Sequence, residues 1–125
     1  MTQPTTRVPD LQALALQLRA FAAERDWEPF HTPKNLASAL ICEAAELLEH
    51  FQWLGGEESA RLAPEQRERV ALEMADVLLY LVRLADRLDI DLLAAATAKL
   101  AINAEKYPVE LARGTAAKYT DLGKP

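Results

Sequence analysis

The sequence holds one cysteine, Cys42, so no disulfide can close within the chain. That economy fits a reducing compartment. Cys42 has no evident cationic neighbour to lower its pKa and reads as a small core residue rather than a reactive thiol. Aromatics are scarce, at 6%. Runs of β-branched residues, which strands prefer, are few, while alanine and leucine favour helix. There is no basic face or arginine-rich arm. With a formal net charge of -5 and a pI of about 5.0, a nucleic-acid polymer is not the expected partner. The opening residues MTQPTTRVPD lack the apolar stretch of a signal peptide. The longest apolar run, Met74 to Val82, is too short to span a bilayer. A cytoplasmic chain with no membrane partner is the expectation. Internal repeats and low-complexity tracts are also missing.

What is present is helical punctuation in a chain of 125 residues, enough for one domain with a real core. Residues 1–8 read as a flexible lead, 9–113 as an all-α domain and 114–125 as a polar tail. Pro9-Asp10 starts a first helix that runs to about Arg25. A loop from Asp26 to Thr32 carries Trp27, Phe30 and His31. Thr32-Pro33 caps a second helix, expected to reach about Leu54 before Gly55-Gly56. A short polar connection, Glu57 to Ala63, leads to a third helix from Pro64 to about Leu88. Asp91 caps a fourth that ends near Lys106, because Pro108 disfavours helix at Tyr107. The third helix is apolar nearly all round from Met74 to Val82, which predicts burial on every side. One chain of this size would struggle to supply that cover, so a homo-oligomer is expected, most simply a two-fold dimer completing a larger four-helix-bundle-type core.

Two acid pairs stand out: Glu43 with Glu46, and Glu73 with Asp76. The i, i+3 spacing puts both acids of a pair on one side of a helix. Glu43 and Glu46 are the only charges from Leu36 to Leu48, and Asp76 is the only one from Met74 to Val82. A buried carboxylate without a cation costs several kcal/mol unless it is protonated, paired or bound to metal. Oxygen-only ligands suit Mg²⁺ or Mn²⁺, which would offset triphosphate charge and activate a water. A di-iron centre would want Glu-x-x-His, but His50 follows Glu46 by four and His31 lies in a loop.

The aromatics Trp27, Phe30, Trp53 and Tyr80 cluster around these segments and could stack on a flat base, with His31 beside them. Phe21 and Phe51 read as core. Lys99, Asn103 and Lys106 share one face of the fourth helix and could meet phosphate, although a solvated face explains them equally well.

Several segments resemble the MazG-like all-α nucleoside triphosphate pyrophosphohydrolases, over about Leu18 to Leu122. These are FAAERDWEPFH (Phe21 to His31), PKNL (Pro33 to Leu36), ELLEHFQW (Glu46 to Trp53), LEMADVLLYLV (Leu72 to Val82), INAEKYP and LARGTAAKYTDL. The RDWEPFH and FQW segments point to the dCTP pyrophosphatase branch. The resemblance implies Mg²⁺ on Glu43, Glu46, Glu73 and Asp76. It implies base and sugar enclosed by Trp27, Phe30, His31, Trp53 and Tyr80, with Lys99, Asn103 and Lys106 toward phosphate. It also implies a tetramer built as a dimer of dimers, and conversion of dCTP to dCMP and pyrophosphate. Leu18 stands where the animal enzymes of that branch carry a histidine, and the linker Gly55 to Ala63 is shorter. Those departures leave room for dUTP or another nucleotide as substrate. A non-catalytic helical protein that binds a nucleotide or partner chain is the alternative of another class.

Overall fold

Each long helix begins where a side chain captures an otherwise unpaired backbone N–H. Asp10 accepts from the Ala13 N–H at 2.7 Å and starts α1 (Leu11–Glu24). The Thr32 hydroxyl accepts from Asn35 at 3.2 Å and starts α2 (Pro33–Glu49), with Pro33 in the first turn. A short α3 (Gly56–Ser59) follows. Pro64 then opens α4 (Pro64–Arg87), where the Gln66 side chain accepts from the Ala63 N–H at 3.1 Å. Asp91 accepts from Ala94 at 3.0 Å and starts α5 (Leu92–Lys106), which is followed by α6 (Val109–Ala112). Single 3₁₀ turns sit at Glu28–Phe30 and Tyr119–Asp121. This computed structural model describes residues 6–125, and among them no strand occurs. The first five residues of the expected N-terminal lead lie outside the described residues.

Two boundaries differ from expectation. α2 stops at Glu49, five residues short of Leu54, because the N–H groups of Phe51 and Gln52 both fold back onto the Leu48 carbonyl. The polar connection before Pro64 contains α3 rather than being wholly irregular.

The chain divides after Asp89 into two compact units. In the first, α2 and α1 both pack on α4. Contacts along α2 and α4 run in opposite directions. His50 at the end of α2 meets Glu73, Glu43 lies near Glu73 and Asp76, and His31 before α2 meets Arg83. The two helices are therefore antiparallel. Ala22, Leu36, Val70, Val82 and Ala85 form the buried core, with Arg83 buried beside them. In the second unit, Tyr107 and Tyr119 meet edge to face at 6.1 Å. Lys106 Nζ lies 4.8 Å from the centroid of the Tyr119 ring.

One chain does not cover the Met74 to Val82 run, as expected: Met74 is 57% exposed and Leu78 41%, because α1 and α2 cover only part of the helix. Cys42 is exposed rather than core, on an outward side of α2 shared with Ile41 and Leu48. Phe21, also expected in the core, is 45% exposed under the Arg25 guanidinium.

Asp26 and Asp89 have φ near 54°, each two residues past the end of a long helix. Aspartate tolerates this left-handed region better than most side chains. At Asp26 the turn is a Schellman motif. The Trp27 N–H donates to the Ala22 carbonyl at 2.9 Å, and the Asp26 N–H to Ala23 at 3.2 Å. The bend thereby sets where Trp27 leaves the helix. Replacing Asp26 with valine is expected to lower stability by about 1–2 kcal/mol, and with glycine to leave it nearly unchanged. Urea unfolding of the two variants checks this.

Candidate functional site

The antiparallel packing of α2 on α4 brings the two acid pairs together. Carboxylate oxygens of Glu43, Glu73 and Asp76 lie within 4.8 Å of one another. Glu46, one turn along α2, lies outside that cluster, though it is among the groups that act on Glu43. No lysine or arginine forms an ion pair with any of the four among the described residues. The consequence falls on Glu43. Burial, then Glu46, Glu73 and Asp76, push its carboxyl up to about 7. Its Oε2 is buried and has no hydrogen-bond partner among the described residues. Neighbouring acids can hydrogen-bond only through a shared proton, so ionised Glu43 has no donor to meet. A buried oxygen without a donor, in an all-carboxylate set, fits a hard divalent cation.

The aromatic side of the site is built where the loop after α1 reaches α4. Trp27 packs edge-on against Phe21 at 5.7 Å and tilts over His31 at 6.0 Å. His31 is anchored twice. Arg83 Nε donates to its Nδ1 at 3.2 Å, and Arg87 Nε donates to its carbonyl at 3.1 Å. Asp86 braces Arg83 at 3.2 Å and receives Arg19 at 2.6 and 3.1 Å. The Arg19 hydrogen bond, foremost, holds the Asp86 carboxyl below its ordinary value. Burial, then Arg83 and Arg87, pull the His31 imidazole down. Asp76, Tyr80 and Arg83 fall at i, i+4 and i+7 on α4, so Tyr80 lies on the face between the acids and His31.

Two other expected residues of the first unit, Phe30 and Trp53, are not gathered in. Phe30 is 66% exposed in its 3₁₀ turn, and Trp53 is 87% exposed in the turns after α2. Lys99, Asn103 and Lys106 do share one face of α5, within the second unit. Lys106 lies over Tyr119, which ties the C-terminal segment to that face.

Sequence reasoning missed two participants. His50 Nε2 lies 3.6 Å from Glu73 Oε2. Its spacing of four from Glu46 and seven from Glu43 put it on the acid face, a signal set aside because it failed the iron pattern. Arg83 is 3% exposed, and only its partners on α4 and across the fold show why.

The MazG-like family model matches residues 39–122. The chain belongs to the MazG-like family. It is 50% identical to dCTP pyrophosphatase 1 of Bos taurus over 116 residues, 91% of this chain and 69% of the relative. Against dCTP pyrophosphatase 1 of Homo sapiens it is 47% identical, over 91% and 68%. The crystal structure of a pyrophosphatase from Archaeoglobus fulgidus matches at a TM-score of 0.75 and 37% identity, covering 85% of this chain and 99% of that one. The all-helical fold of this MazG-like chain therefore has a solved counterpart. No described helix is long and apolar enough to cross a membrane.

The raised Glu43 carboxyl has a direct linkage consequence. The folded chain keeps its proton up to about 7, whereas an unfolded glutamate loses it near 4.5. Without metal, the Glu43 contribution to stability falls as pH rises between those values and is level above them. Glu43→Gln should flatten that slope in thermal melts. A divalent cation binds the ionised form, so MgCl₂ should raise the melting temperature more at pH 8 than at pH 5.

Proposed function

We propose that this chain is a Mg²⁺-dependent nucleoside triphosphate pyrophosphohydrolase that converts dCTP and water to dCMP and pyrophosphate. Its role is house-cleaning of the nucleotide pool, with modified dCTP also accepted. The observation that carries this reading is the carboxylate set with a donorless oxygen on Glu43. The substrate comes from relatives about half identical along 91% of the chain, whose name is dCTP pyrophosphatase 1.

Glu43, Glu46, Glu73 and Asp76 hold the cation, and Mn²⁺ can replace Mg²⁺. When bound, it neutralises phosphate charge and acidifies the attacking water. Glu46, exposed one turn along α2 from Glu43, would accept a proton from the attacking water. Trp27 stacks on the base with His31 and Tyr80 alongside, whereas Phe30 and Trp53, exposed in the single chain, would help enclose base and sugar only once further copies assemble around it. Such stacking is worth roughly 1–3 kcal/mol per contact. Lys99, Asn103 and Lys106 supply donors to phosphate. Along α4, Asp76 and Arg83 are seven residues apart, about 10 Å at 1.5 Å per residue. That spacing suits a nucleotide with phosphates at the acids and base near His31.

The exposed apolar residues give the reading its quaternary part. Leu72 and Met74 on α4, with Ile41 and Leu48 on α2, would be covered by further copies in a tetramer built as a dimer of dimers. A cytoplasmic site of action agrees with a substrate from the nucleotide pool.

The decisive assay measures pyrophosphate release from a panel of triphosphates, with and without Mg²⁺. dCTP should be the preferred substrate. Preference for dUTP would move the substrate assignment, and binding without turnover would leave only a nucleotide-binding protein. Glu43→Gln and Asp76→Asn are each expected to lower kcat by at least about a hundredfold while the chain stays folded. Retained Mg²⁺-dependent turnover in both would remove the metal role. Met74→Glu should shift the sedimentation coefficient toward the monomer.

A further inference from the structure

The most costly unexplained feature of the first unit is Arg83. A guanidinium stays charged and offers only donors. This one is 3% exposed. Its Nη1 donates to Asp86 Oδ2 at 3.2 Å and its Nε to His31 Nδ1 at 3.2 Å. Its Nη2 is buried with no partner among the described residues. A purely structural arginine would seek carboxylates or carbonyls, not an imidazole nitrogen. Asp86, moreover, already has a partner in Arg19, at 2.6 Å.

The contact with His31 has a strict chemical consequence. Arg83 Nε–H can only donate, so His31 Nδ1 must present its lone pair. A neutral imidazole then carries its single proton on Nε2. The doubly protonated ring would set N–H against N–H, and the charges of Arg83 and Arg87 oppose it as well. Neither anchor is free to swing. Asp86 holds the guanidinium, Arg19 holds Asp86, and Arg87 Nε holds the His31 carbonyl at 3.1 Å. Trp27 tilts against the same ring at 6.0 Å.

We propose that Arg83 is a positioning residue that locks His31 in its Nε2–H tautomer, so that His31 meets the nucleotide only as a hydrogen-bond donor, to an acceptor atom of the base. The inference rests on the substrate-contact role of His31 set out above. It places a specificity determinant on α4, outside the acidic and aromatic residues that the sequence singles out.

The first test needs no variant. Long-range ¹H–¹⁵N correlation spectra of the full chain, without substrate, should show His31 protonated at Nε2 and bare at Nδ1. An Nδ1–H form, or an even mixture, overturns the proposal. The second test is a cycle scored on dCTP hydrolysis. Arg83→Leu should raise KM about tenfold, the loss of one hydrogen bond, with kcat changed less than threefold. His31→Gln carries an amide donor that needs no tautomer lock, so adding Arg83→Leu to it should change KM less than twofold. An equal penalty in both backgrounds makes Arg83 merely structural and overturns the proposal. His31→Ala separates the two levels. If it leaves KM unchanged, the substrate-contact reading of His31 fails. If it raises KM while Arg83→Leu does not, the tautomer lock alone fails.

Discussion

Uncompensated negative charge at the α2–α4 seam is the constraint around which the rest is arranged. Antiparallel packing puts Glu43, Glu73 and Asp76 within 4.8 Å with Glu46 alongside, and the surrounding residues of both helices are apolar. Such an arrangement disfavours folding unless protons or a cation relieve it. Protons do so at Glu43, whose carboxyl is held up to about 7. The relief is incomplete, because Oε2 still lacks a donor. That donorless oxygen is the observation on which the proposed cation site rests. The stability this arrangement forgoes comes from elsewhere, through caps on every long helix and the bracing of α1 against α4 by Arg19 and Asp86.

α4 is the element that joins the two halves of the chemistry. Going along it, acids at Glu73 and Asp76 give way to Tyr80 and then to Arg83 and Arg87. The sign of charge thus reverses over about 10 Å on one helix face. The basic end does not balance the acidic end; it is spent on Asp86 and on His31. Cations in the last turn also complement the helix dipole. On the proposed function, one helix then carries a cation-binding end and a base-recognising end that do not cancel each other.

Much of this was legible in the sequence, and for identifiable reasons. Helix starts at Asp10, Thr32-Pro33, Pro64 and Asp91 depend on the chain within three residues, so local chemistry reveals them. The acid pairs were legible because i, i+3 spacing guarantees a shared face. What failed was inference about surroundings. Cys42 and Phe21 looked like core residues, yet Cys42 lies on an exposed side of α2 and Phe21 is covered only in part, by Trp27 and Arg25. α2 ended early because two N–H groups competed for the Leu48 carbonyl, which hydrophobic periodicity does not register. Arg83 went unread, because burial of a cation depends on partners 52 positions away and on its own helix.

By itself, then, the sequence determined an all-helical chain, the order of its helices, and which acids share a face. Those follow from propensity, capping and periodicity, all of which act over a few residues. Only the tertiary structure decided that the two acid pairs converge, that Glu43 is the acid left without a donor, and that His31 is gripped by Arg83. Each of those depends on how α2 and the loop after α1 meet α4. Electrostatic consequences of burial exist only once distant segments have excluded water from between them.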